Sequence, residues 1–129
     1  MPYVGGKQTM ADQIVSLMAP HAHYVEPFFG GGSVLFAKAP ALMETVNDID
    51  EHLVTFWRVL RDRPHDLAWQ CATTPHSRRE MTATRDISAG DPDDLERARR
   101  IWVQLTQGRA ARLTRTGWRY VVTEAAKHA

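Results

Sequence analysis

The sequence predicts an α/β fold, an incomplete Rossmann-like sheet followed by a helical insertion, and three observations predict it. The stretch Tyr24–Ser33, YVEPFFGGGS, carries a short apolar run into three consecutive glycines and then a Ser placed to cap a helix. Met43–Asp50, METVNDID, reads as a second short strand ending in acids. Beyond Asp50 the apolar residues recur at helical spacing, with no further strand signal. Two strands cannot make a doubly wound sheet, and parallel sheets need both faces covered, so exposed apolar surface is expected.

In chain order, Pro2–Lys7 places a glycine pair and a lysine before a helix. It is not a Walker loop, because Met1 and Gln8 stand where that pattern needs a Gly and a Ser or Thr. Residues 9–18, TMADQIVSLM, set Met10, Ile14, Leu17 and Met18 at helical spacing after Thr9, a candidate cap, and this helix is expected to pack on the sheet. The glycines after the first strand serve a turn that a side chain would forbid and let a ligand approach bare peptide, which predicts a binding crevice at the strand's carboxyl end. Asp48 follows Gly30 by eighteen residues, near the roughly 20 that place a ribose-binding carboxylate beside a glycine loop; the plainer role for it is a helix cap.

Leu53, Val54, Trp57, Val59 and Leu60 form the apolar side of the next helix, expected to cover the sheet and to end before Pro64. DLAWQCA and SRREMTAT read as two short helices split by Thr74-Pro75. SAGDPDD is a turn cluster before a helix carrying Leu95, Ala98, Ile101, Trp102 and Leu105. The helical part is expected to hold Trp69 and Cys71 in its core or against the sheet.

The 129 residues suit one domain, and 43% hydrophobic with 24% charged is a soluble composition. No apolar run approaches the ~20 residues a membrane span needs, and the amino terminus leads directly into Gly-Gly-Lys without a signal peptide, so a cytoplasmic protein without membrane attachment is expected. The single Cys71 has no partner for a disulfide and reads as a small buried hydrophobe. His21 and His23 invite a metal, but the other histidines show no pairing pattern, and no metal site is expected. Charge divides by position. Residues 1–96 hold eight Lys or Arg against fourteen acids, whereas residues 97–129 hold eight against one. The loop-like run QGRAARLTRTGWR gives no amphipathic reason for Arg109, Arg112, Arg115 and Arg119, which suit a phosphate backbone; Arg97 and Arg100 are better read as a solvated helix face.

Taken together, YVGGK, YVEPFFGGGS and VNDID, in that order, resemble the amino-terminal half of the Dam-like adenine-N6 DNA methyltransferases. FWRVLRD, TPHSRREM and TGWR resemble segments of that family's helical insertion. The resemblance implies S-adenosylmethionine as cofactor and double-stranded DNA as partner. It implies that Tyr3, Gly5, Gly6 and Lys7, with Glu26, Pro27 and Phe28, flank the methionine end, that Gly30 and Gly32 floor the pocket, and that Asp48 holds the ribose. Residues 1–50 would be the cofactor-binding part of the methyltransferase domain, and 51–129 a mostly helical, DNA-facing insertion.

One departure bears on activity. The family's catalytic Asp-Pro-Pro-Tyr is absent, since none of the seven prolines is paired with another, and in the family's order that motif lies beyond the insertion. No residue of this chain is therefore assigned a catalytic role. The expectation is an enzyme part that needs a catalytic half, supplied by a separately encoded carboxyl-terminal partner or lost from a truncated reading frame. The alternatives are a non-catalytic module that binds S-adenosylmethionine or DNA, and a decayed gene product.

Overall fold

A computed structural model of the chain describes residue 3, residues 5–109, residue 113 and residues 117–119. Helix α1 (Ala11–Ser16) precedes strand β1 (His23–Glu26), helix α2 (Ser33–Ala37) and strand β2 (Met43–Val46). Four helices follow: α3 (Glu51–Asp62), α4 (Pro64–Thr73), α5 (Arg78–Ala83) and α6 (Asp94–Gln107). The two strands are parallel, in register from His23 opposite Met43 to Glu26 opposite Val46. The α2 crossover joins them, as parallel pairing requires.

The strand alternation is sharp in β1 and absent in β2. Tyr24 and Glu26 are buried while His23 and Val25 are exposed, whereas all four residues of β2 are exposed. Val25, Leu42, Met43, Val46 and Ile49 are exposed apolar residues on or beside the sheet, as expected for strands that lack a covering layer.

The main core lies instead among the helices. Leu53, Phe56 and Val59 of α3 pack with Leu67, Ile87, Ala98, Ile101 and Leu105. This corrects the expectation that α3 covers the sheet: its buried face lies against α6 and α4. Periodicity fixes which face is apolar, and leaves open which partner takes it. Trp57, packed at the edge of that core, makes the connection to the sheet end. Its indole N–H donates to the Gly30 carbonyl at 2.9 Å, and its ring sits 5.1 Å from Phe29 and 5.6 Å from Phe36. Helix α1 packs on α2, and Ile14 and Met18 line one shallow hollow with Tyr24 and Val25.

Two caps differ from expectation. Thr9 does not cap α1; the N-cap is Met10, with no side-chain bond. Ser33 does not cap α2 but is its first residue, and the N-cap is Gly32 in the left-handed region, φ 72°. The other boundaries follow their signals. Asp50 caps α3, Pro64 opens α4, Ser77 caps α5 and Asp93 caps α6. Trp69 is 70% exposed, outside both core and sheet, while Cys71 is half-buried against the helical core.

Candidate functional site

The turn after β1 is built by backbone constraints. Pro27 and Phe28 leave the strand on the surface, Phe29 turns inward, and Phe29 N–H donates to the Asn47 carbonyl at 2.9 Å, extending the β1–β2 pairing by one bond. Gly30 has φ 52°, and a Cβ there would lie 3.2 Å from the Tyr3 ring. Gly32 is still more confined, because a Cβ would meet Phe36 at 2.7 Å and Phe29 at 2.9 Å.

Asp48 locks this turn to the end of β2. One carboxylate oxygen accepts from Gly30 N–H at 2.7 Å and the other from Asp50 N–H at 2.9 Å. Asp48 is therefore not a helix cap; that role belongs to Asp50, whose carboxylate accepts from His52 N–H at 3.0 Å. At the amino end, Gly6 N–H donates to the Tyr3 carbonyl at 2.9 Å, a tight turn that lays Tyr3 along the glycine loop. Burial raises the Tyr3 hydroxyl above its ordinary value, and Asp50 and Asp48 add to the shift, so it stays protonated as a donor.

These elements enclose an open cavity of about 260 Å³ at the carboxyl ends of the strands. Tyr3, Gly5, Gly6, Lys7, Glu26, Phe28, Gly30 and Asp48 line it, eight of the ten residues that the sequence assigned to a cofactor. Pro27 and Gly32 do not. Pro27 is exposed, and Gly32 lies behind the loop against Phe29 and Phe36, so its part is to let the chain turn there. Phe29, Gly31, Ser33 and Val34 also line the cavity and were not assigned from sequence; the run from Phe28 to Val34, broken only at Gly32, was their available signal. A second, apolar hollow of about 420 Å³ lies beside the first, between Phe36, Val46, Val54 and Trp57, and shares Phe29 and Asp48 with it.

Glu26 is the buried acid of the site. Its carboxylate accepts from the Tyr24 hydroxyl at 2.9 Å, and Lys38 holds its ammonium over the Tyr24 ring while pairing with Glu44. Burial first, and then the bond to Glu26, push the Tyr24 phenol well above its ordinary value. The Lys38 hydrogen bond holds the Glu44 carboxyl below its own.

The arginines divide in two. Arg97, Arg99 and Arg100 on α6 form ion pairs with Asp91, Asp94, Glu96 and Glu80, so the helical part of the acid-free run is neutralised by residues outside it. Arg109 and Arg119 are exposed and hold backbone carbonyls, those of Trp118 at 3.3 Å and Thr106 at 2.8 Å, next to a bridge between Gly108 and Trp118. Arg112 and Arg115 lie outside the described residues. Among the described residues no group of three or more His, Cys, Asp and Glu could hold a metal, and no helix is long and apolar enough to cross a membrane.

With the cavity and its loop described, comparison with known proteins adds the family. The family model of the D12 class N6 adenine-specific DNA methyltransferases matches residues 3–87, the segment that contains every residue of the cavity. The chain belongs to this family. It is 30% identical over 111 residues to the Type II methyltransferase M1.LlaDCHI of Lactococcus lactis subsp. cremoris, covering 80% of this chain and 38% of that protein. It is 32% identical over 65 residues to a DNA N-6-adenine-methyltransferase of Escherichia phage P1, covering 50% of this chain and 8% of that protein. The D12-family chain thus spans well under half the length of either relative.

Proposed function

We propose that the cavity binds S-adenosylmethionine and that the chain is the cofactor-binding part of a DNA adenine-N6 methyltransferase whose catalytic motif lies outside residues 1–129. The observation that carries this reading is one cavity lined by eight of the ten residues singled out for that cofactor. The donor set suits the group. Glu26 offers a buried carboxylate to an ammonium, and Lys7 a cation near a carboxylate. Asp48 has lone pairs left for ribose hydroxyls beyond its two backbone bonds, and Gly30 keeps the wall clear where a Cβ would intrude.

When bound, the cofactor supplies an electrophilic methyl group. Glu26, Lys7 and Asp48 would hold the group with its methyl available to the exocyclic amine of a flipped-out adenine, and the amine would give up a proton to an acceptor on methylation. An acid-Pro-Pro-aromatic segment would supply that acceptor and the surface for the base, and residues 1–129 contain none. On this reading residues 1–50 are the cofactor-binding part of a Rossmann-like sheet, residues 51–129 a helical insertion that faces DNA, and a carboxyl-terminal half completes the sheet over Val25, Met43 and Val46.

Titration calorimetry tests it. The chain should bind S-adenosylmethionine, and Asp48→Ala should weaken binding by about 1–3 kcal/mol, the usual cost of unpairing such hydrogen bonds. Equal affinity of variant and parent removes Asp48 from the site. With methyl-labelled cofactor and duplex DNA, label should enter adenine only when a segment bearing Asp-Pro-Pro-Tyr is supplied. Labelling by the chain alone would place the acceptor within residues 1–129.

A further inference from the structure

Strand alternation puts Tyr24 and Glu26 on the same buried face of β1, and the Tyr24 hydroxyl donates to Glu26 Oε2 at 2.9 Å. Glu26 is 9% exposed at the cavity wall, and among the described residues its carboxylate has this neutral partner and no ion pair, although Lys7 lines the same cavity. The neighbouring cation is engaged elsewhere. Lys38 has its ammonium 4.5 Å from the Tyr24 ring centroid, but its hydrogen bonds go to the Glu44 carboxylate and, at 3.1 Å, to the Ala39 carbonyl. A buried carboxylate that lacks a cation is costly, and a ligand that brings one relieves the cost.

We infer that Tyr24 is a positioning residue for ligand recognition: its hydroxyl holds one oxygen of Glu26 and leaves the other to accept from a ligand's ammonium group. Glu44, by engaging Lys38, keeps the charge of Glu26 available to that ligand. The inference rests on the proposed binding of S-adenosylmethionine, whose methionine part carries such an ammonium, and it concerns residues that lie behind the cavity wall and do not line it. Neither Tyr24 nor Lys38 is among the cavity's lining residues, so their effect is transmitted through Glu26.

The experiment compares two ligands on the full chain by calorimetry: S-adenosylmethionine, and 5′-methylthioadenosine, which lacks the amino-acid part. Tyr24→Phe should weaken S-adenosylmethionine roughly three- to tenfold, the net worth of one ordinary hydrogen bond, and leave 5′-methylthioadenosine unchanged. Loss of both ligands in parallel would mean that Tyr24 acts only on the fold, and no loss of either would mean that it does not position Glu26; both overturn the inference alone. Failure of the parent to bind either ligand overturns the cavity assignment and this inference with it. Should Tyr24→Phe not fold, Glu44→Gln, at a partly exposed position, carries the same test: selective weakening of S-adenosylmethionine supports the inference, and equal binding of both ligands overturns it.

Discussion

Gly32 separates the demands of conformation from those of a ligand. Its φ of 72° is one that an L-residue adopts at roughly 1–2 kcal/mol, and the Cβ of an alanine would stand 2.7 Å from the Phe36 ring. Overpacking of that kind adds about 1–3 kcal/mol. Gly32→Ala should therefore lower stability by about 2–5 kcal/mol in a denaturant melt. Gly5, at φ 78° with nothing within 4 Å of the place a Cβ would take, supplies the control, and Gly5→Ala should cost about 1–2 kcal/mol from the backbone alone. Similar losses for the two would show that the Phe29–Phe36 contact yields without strain. The same comparison shows what a glycine triplet conceals from a reader of the sequence. That a tight turn stands at residues 30–32 is legible, because few other residues tolerate it. Which glycine meets the cavity and which meets an aromatic pair depends on Phe36, and the rotation of a side chain is not written in the spacing.

At the scale of elements, the local signals were legible and the packing partners were not. Asp50, Ser77 and Asp93 each sit before a helix whose first-turn amide they accept, and Pro64 opens α4, because capping is settled between residues two or three apart. Ser33 misled for the same reason: it has the right chemistry at the right place, but the left-handed Gly32 already terminates the turn. The destination of α3 could not be read at all, since its apolar face fits α6 as well as a sheet. Helix α6 is held in its turn by ion pairs. Glu96 accepts from Arg99 at 2.6 and 2.8 Å and from Arg100 at 2.8 Å, and Arg99 also reaches Glu80 on α5. The hydrogen bond from Arg99, ahead of the one from Arg100, holds the Glu96 carboxyl below its ordinary 4.5, and burial opposes them without prevailing. A carboxyl whose folded value is depressed stabilises the fold above its unfolded value and loses that contribution as pH falls through the folded one. Glu96→Gln should therefore cost about 1–3 kcal/mol at pH 7, and the gap to the parent should close below about pH 4. A gap that persists undiminished at acid pH would mean that Glu96 works by packing and not by charge.

At the scale of the whole molecule the two ends of the chain's charge meet different fates. The arginines of α6 find acids on α5, on the loop before α6 and on α6 itself, and of the acid-free run this leaves, among the described residues, Arg109 and Arg119 without an ion pair: both are exposed, and their hydrogen bonds go to neutral carbonyls. Sequence alone showed a run without acids. It could not show that Arg99 also pairs across space, because Glu80 stands nineteen residues before it, although its pair with Glu96 and that of Arg100 with Glu96 are local, three and four residues apart. For a protein of the D12 family the remaining arginines are proposed to meet the DNA backbone, an assignment that salt dependence can decide. Each phosphate neutralised releases counterions and contributes a slope of about −0.9 to log K against log salt. Arg109→Gln with Arg119→Gln should make the slope for duplex DNA less negative by about 1.8 if both side chains are in contact. Arg97→Gln, whose partners are Asp91 and Asp94, should leave the slope unchanged. Because Arg109 and Arg119 also hold the carbonyls of Trp118 and Thr106, a fall in affinity alone would be ambiguous between lost charge and a loosened segment. The slope is not, since a loosened segment that keeps its charges still releases ions. An unchanged slope in the double variant would return both arginines to the role of solvated braces for the turn after α6.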